Sequence, residues 1–149
     1  MHRRALLALP LLLAGCARRW PALPDNPAVP PGIDWAAAQP VEVTLDEYHF
    51  APDALVFTVN RPLLLRLVNR GGRAHDFTAP GFFATVAFRP EDPEGPVIRA
   101  ARGSVEVPAR TTREVTLAPL SPGTWELECV KPLHGMFGMA GSITVLPAT

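Results

Sequence analysis

From Val41 onward, apolar residues recur at every second position. Val41, Val43 and Leu45 share one face, with Glu42, Thr44 and Asp46 on the other. The same period runs through Leu55, Phe57 and Val59, then Leu63, Leu65 and Leu67. It returns at Val105 and Val107, at Val115 and Leu117, at Trp125, Leu127 and Cys129, and at Ile143 and Val145. A period of two is that of a strand with one face in a core. Turn formers separate the runs: Ala51-Pro52-Asp53, Asn60-Arg61-Pro62, Arg70-Gly71-Gly72 and Ser121-Pro122-Gly123. Short strands without a long helical period predict an all-β, Greek-key β-sandwich of about seven or eight strands over residues 41–149. Residues 80–103 break the pattern with Pro80, Gly81, Pro90, Pro93, Gly95 and Pro96. They read as a long connection holding a short helix or strand around residues 82–88, with Phe82 and Phe83 as packing residues.

The first forty residues follow other rules. Arg3 and Arg4 precede an apolar run, Ala5 to Leu13, that is too short to span a bilayer as a helix. Leu13-Ala14-Gly15-Cys16 follows and resembles the bacterial lipobox, in which the cysteine is acylated and becomes the first residue of the mature chain. Residues 1–15 are thus expected to be a lipoprotein signal peptide and Cys16 the lipid attachment point. The protein would then be lipid-anchored to a bacterial membrane, in the periplasm or otherwise outside the cytoplasm. Residues 16–40 are proline-rich, with prolines at 21, 24, 27, 30, 31 and 40. Such a stretch forms neither a helix nor a long paired strand. It is expected to be a disordered, extended tether, rising about 3.1 Å per residue and reaching roughly 70 Å; the alternative is a segment packed on the domain through Trp20 or Trp35.

The chemistry sits late in the chain. Cys129-Val-Lys-Pro-Leu-His134-Gly-Met-Phe-Gly-Met139 carries a thiol, an imidazole and a thioether, and His75 lies upstream in Asn69-Arg-Gly-Gly-Arg-Ala-His75-Asp-Phe. Two histidines, one cysteine and one methionine form the donor set of a trigonal blue-copper site with a long axial methionine. Soft sulfur favours Cu(I) and imidazole suits Cu(II). A rigid site acceptable to both reorganises little when an electron moves. Strand alternation points the Cys129 thiol into the apolar interior, where it is a poor redox sensor and a good soft ligand. Met136 is a rival axial donor only two residues past His134. His49, remote from any cysteine or methionine in sequence, reads as a surface histidine, and Lys131 as a solvated loop residue.

These residues resemble the cupredoxins, single-domain copper β-sandwiches such as azurin, plastocyanin and rusticyanin. The resemblance lies in Cys129-x₄-His134-x₄-Met139 and in Val68-Asn69-x-Gly71 followed by His75-x-Phe77. It continues in Met139-x-Gly141-x-Ile143-x-Val145, so it covers nearly all of residues 41–146. It implies one copper ion, with His75, Cys129 and His134 equatorial and Met139 axial. It also implies His134 near the surface as the electron port, rimmed by Pro132, Leu133, Met136 and Phe137 for transient docking. Asn69 and Asp76 are candidates for the shell around the ligands. Asp76 departs from the asparagine or serine frequent after the first histidine, and a carboxylate there favours Cu(II) unless it is protonated or paired.

Composition narrows the functional classes. The chain has 149 residues, 48% of them hydrophobic, enough for one core. Its formal net charge is zero, and loss of residues 1–15 would make it −2. No basic face is available for nucleic acid. Cys16 and Cys129 have separate roles, so no disulfide is expected. The expected activity is electron carriage by a monomer between transient redox partners such as a cytochrome, an oxidase or a reductase. Delivery of copper to a periplasmic or membrane copper enzyme is the alternative, but three methionines and four histidines do not make a metal-rich carrier segment. No catalytic arrangement stands out, and an enzyme is not expected.

Overall fold

The computed structural model describes residues 20–134 and 137–149. Among the described residues, ten strands form two five-stranded sheets. They are β1 (Gln39–Asp46), β2 (His49–Ala51), β3 (Ala54–Thr58), β4 (Leu63–Asn69), β5 (His75–Thr78), β6 (Val86–Phe88), β7 (Ser104–Val107), β8 (Thr112–Pro119), β9 (Gly123–Glu128) and β10 (Ala140–Leu146). One sheet has the order β2-β1-β4-β8-β6 and the other β3-β10-β9-β5-β7. From β2 to β9 every connection passes from one sheet to the other, so hairpins alone cannot build the sandwich. Two pairs are parallel, β1 with β4 and β3 with β10.

The alternation seen in the sequence sets the inward faces. Val43, Leu45, Leu63, Leu65 and Leu67 meet Leu55, Phe57, Leu127, Ile143 and Val145 in one buried core. Two short strands, β2 and β6, raise the count above the expected seven or eight. Each has only three residues, too few to show a period.

The 80–103 connection is structured. A one-turn helix α1 (Pro80–Phe83) precedes β6, and α2 (Glu94–Ala100) follows it. Phe82, Phe83 and Ile98 are fully or almost fully buried, and Phe82 packs against Phe57 and Trp125. Proline at the first helical position starts α1 at a site where no backbone donor is lost. Gly95 fits closely over Phe88, since a Cβ there would lie 2.9 Å from the Phe88 side chain.

Over its described part, the proline-rich segment takes the packed alternative and not the free spacer. Its described part, from Trp20, lies on the domain. Leu23 packs against the core, Asn26 Oδ1 accepts the Phe88 N–H at 3.2 Å, and Arg99 donates to both Pro24 O and Asn26. Residues 35–37 form a 3-10 turn capped by the Asp34 carboxylate, and β1 begins at Gln39, with Pro40 inside it. The prolines prevent a helix, as expected, but the bare carbonyls that result are good acceptors for arginine. The signal region and Cys16 lie outside the described residues. No helix among the described residues is long and apolar enough to cross a membrane.

Candidate metal centre

One end of the sandwich collects the end of β4, the start of β5, the end of β9 and the β1–β2 turn. Asn69, the last residue of β4, is buried and fully engaged. Its Nδ2 donates to Arg73 O and Val107 O, both at 2.8 Å, and its Oδ1 accepts the Gly71 N–H at 2.9 Å. This side chain folds the 70–74 loop back so that β5 starts at His75. Gly71 leaves little room for a side chain, because a Cβ there would stand 3.0 Å from His75 Nε2 and 2.9 Å from Glu47 Oε1, and these groups would have to shift.

Cys129 follows the last residue of β9, and the 130–139 loop returns to β10. Cys129 N–H donates to Met139 O at 3.1 Å, closing the base of the loop. Inside it, His134 N–H donates to Lys131 O at 3.1 Å and Met139 N–H to His134 O at 3.2 Å. Leu133 at φ 72° and Gly138 at φ 84° make the tight reversals. The loop therefore positions His134 through its own backbone.

His75 Nδ1 lies 3.1 Å from His134 Nδ1, and Cys129 Sγ lies 3.5 Å from His134 Nδ1. All three ligating atoms fall within 4.8 Å of one another, and all three residues are buried. Met139 is fully buried at the foot of the same loop. Ligand atoms about 2.0–2.3 Å from one small divalent ion sit roughly 3.5 Å apart around it. The His75–His134 and Cys129–His134 separations are of that size. Two imidazole nitrogens and one sulfur, converging in a dry pocket, fit a copper ion by donor chemistry.

The surroundings hold this geometry. The Asp76 N–H donates to Cys129 Sγ at 3.3 Å. Burial pushes the Cys129 thiol pKa up, partly offset by backbone N–H groups of Asp76 and Lys131. Burial also lowers His75, against the opposing field of Glu47. Among the described residues the buried His75 Nε2 has no hydrogen-bond partner, and it lies 3.9 Å from Glu47 Oε2. Glu47 is held in place by the Gly72 N–H, 2.9 Å from its Oε1.

Asp76 and Lys131 differ from the sequence reading. Lys131 is not a solvated loop residue: its ammonium lies 3.4 Å from Asp76 Oδ1 and also contacts Glu106. Asp76 faces Glu106 directly across the β5–β7 pair, so Lys131 sits between two carboxylates. Burial raises the Asp76 carboxyl pKa, and Lys131 opposes the rise. Burial alone would lower Lys131, but Glu106 and Asp76 outweigh it and its pKa is raised. The Asp76 charge is therefore paired.

His134 is 5% exposed. Tyr48 covers it edge-on, with ring centroids 5.3 Å apart, and packs in turn on Phe137 at 4.7 Å. Pro132, Leu133 and Phe137 are exposed beside it, and Met136 lies outside the described residues. Sequence reasoning missed Tyr48 and Glu47. They form the two-residue link between β1 and β2, paired as Asp46 with His49, and neither is a glycine or asparagine that would have marked a tight turn. His49 is exposed and is not part of the cluster.

No family model matches the chain, and no curated protein matches it in sequence. Among the solved structures that match its fold are two auracyanins. Auracyanin B superposes with a TM-score of 0.52 and 23% identity, over 74% of this chain and 91% of that one. Sodium dithionite-reduced auracyanin from the photosynthetic bacterium Roseiflexus castenholzii gives a TM-score of 0.52 and 16% identity, over 74% and 99%. Auracyanin is a cupredoxin. The β-sandwich of this chain therefore has the cupredoxin-like fold.

Proposed function

We propose that His75, Cys129, His134 and Met139 of this cupredoxin-like domain would hold one copper ion, and that the domain carries single electrons. The observation that carries the reading is the convergence of two imidazole nitrogens and a buried sulfur within 4.8 Å. Copper in such a site would supply a one-electron couple between Cu(II) and Cu(I). The protein's part is to keep the ligands fixed in both states. Asn69 and the Cys129–Met139 backbone bond brace the two ligand-bearing segments. The Asp76 N–H favours the thiolate form of Cys129. Burial excludes water, which lowers the reorganisation that accompanies a change of charge.

His134 is the port. It is 5% exposed with Tyr48 packed edge-on over it, and Leu133 and Phe137 of the same loop are each about 60% exposed. Small apolar patches suit weak redox encounters with rapid release. In this reading the protein is a monomer that meets a cytochrome, an oxidase or a reductase transiently, at the outer side of a membrane to which Cys16 is anchored.

The test sets electron exchange against metal loss. The copper-loaded protein is mixed with excess Cu(I) chelator, and its electron self-exchange is measured by nuclear magnetic resonance line broadening. Retained copper with rapid self-exchange supports the carrier of electrons. Copper lost to the chelator within seconds, with slow self-exchange, overturns it in favour of copper delivery.

A further inference from the structure

The first described residues are held at several points by one side of the domain. Arg99, on α2, donates one guanidinium nitrogen to Pro24 O and the other to Asn26 Oδ1 at 2.7 Å. Arg102, just past α2, donates to Trp20 O. The Arg99 guanidinium also lies over the Phe88 ring, 4.8 Å from its centroid, and feels the Asp25 carboxylate. Leu23 packs on the core below. Residues 20–24 form one wall of a cavity of about 560 Å³ whose other wall includes Pro80, Gly81 and Trp125. That cavity also reaches Glu128, the neighbour of Cys129.

We infer that this strap makes the membrane tether a short leash and turns the α2 side of the domain toward an anionic phospholipid surface. The inference rests on Cys16 being the lipid attachment point. Only three residues lie between Cys16 and Trp20, and the four Cα-to-Cα steps span at most about 14 Å for any chain conformation. A free segment to residue 40 would reach roughly 70 Å. Charge favours contact on this side. Arg18 and Arg19 follow the anchor in sequence, and Arg99 and Arg102 lie on the clipped face. Basic side chains near an anionic surface are attracted to it, each adding to the contact. Asp25 on the strap and Glu126 and Glu128 in the cavity wall are the opposing acids, fewer than these four basic residues, and Glu94 on α2 is paired with Arg113. Val97, 56% exposed on α2, adds an apolar contact. A domain held this way meets partners that lie close to the bilayer and does not sweep tens of ångströms above it.

The experiment uses the full chain made with its own signal, purified from membranes and placed in a supported bilayer of phosphatidylethanolamine and phosphatidylglycerol. Neutron reflectometry reads the gap between lipid headgroups and protein, and intact mass reads acylation of the same sample. A chain with about twelve Gly/Ser residues inserted after Arg19 calibrates a long leash. The expected result is an acylated wild type in contact with the headgroups. In the Arg99→Ala/Arg102→Ala chain the gap at least doubles, toward that of the insertion chain. Retained copper binding shows that the variant is folded. An acylated wild type whose gap already equals that of the insertion chain overturns the leash and leaves the anchor standing. A wild type without acyl groups overturns both.

Discussion

Replacing Lys131 by methionine removes the cation between Asp76 and Glu106 and keeps most of its apolar stem. The cost follows from exposure. Asp76 is 8% exposed at the side chain and Lys131 is 27%, whereas Glu106 is 60% exposed. An exposed ion pair contributes about 0–1 kcal/mol, and removing one partner of a buried pair costs about 3–5 kcal/mol. Asp76–Lys131 lies between these limits, so Lys131→Met should destabilise the metal-free protein by about 2 kcal/mol near neutral pH. Glu106 is too well solvated to add much. Asp76→Asn in the same background should recover more than half of the loss, because no buried carboxylate is then left unpaired.

The pH dependence has a definite sign. The groups facing Asp76 are Lys131, Glu106 and His134, and the carboxyl pKa is already raised from 3.8 by burial. A raised carboxyl pKa means that the folded state holds its proton longer, so stability falls as pH rises from the unfolded value through the folded one. Without Lys131 the folded value rises further. The loss in Lys131→Met should therefore be small near pH 4 and complete at pH 7–8. Urea unfolding of the metal-free variants at both pH values measures it. A loss under about 0.5 kcal/mol at pH 7.5, typical of plain surface sites, or an equal loss at pH 4, would refute the reasoning. In the copper-loaded variant the uncompensated carboxylate should favour Cu(II), and the reduction potential should fall.

Three further outcomes are expected. Asn69→Ala strands the carbonyls of Arg73 and Val107 and the Gly71 N–H, and should cost about 1–3 kcal/mol, with faster amide hydrogen exchange in residues 70–75 as the specific sign. The Cys129 thiol, held up by burial, is protonated at neutral pH in the metal-free protein. Above the ordinary histidine range, copper uptake should release one proton and strengthen about tenfold per pH unit, which calorimetry in buffers of different ionisation enthalpy measures. Phe82→Ala, at a fully buried ring between Phe57 and Trp125, should cost about 3–5 kcal/mol by urea unfolding.

The strands with a single buried face were legible because alternation and burial coincide there. In β4, Leu63, Leu65 and Leu67 are buried while Leu64, Arg66 and Val68 are only partly so, and the side-chain period reads directly. β6 was not legible. Its three residues are all buried, leaving no polar positions to set a phase. The grouping of His75, Cys129 and His134 followed from residue chemistry and strand parity. The contacts around them did not. Lys131 reads as solvent-facing until β7 places Glu106 opposite Asp76. Tyr48 reaches His134 only because β1 and β2 fold back on each other at Glu47 and Tyr48. The proline content of the N-terminal segment excludes regular structure there, but it carries no information about Arg99 and Arg102, some eighty residues away, which hold its carbonyls.

The central claim is that Cys129 is a copper ligand beside His75 and His134. Its most direct test is the visible and paramagnetic resonance spectrum of the protein with one equivalent of Cu(II), wild type against Cys129→Ser. An intense thiolate-to-copper absorption with narrow copper hyperfine splitting, present in the wild type and absent from the variant, is the predicted result. A pale wild-type spectrum with ordinary splitting, unchanged by the substitution, would contradict the account.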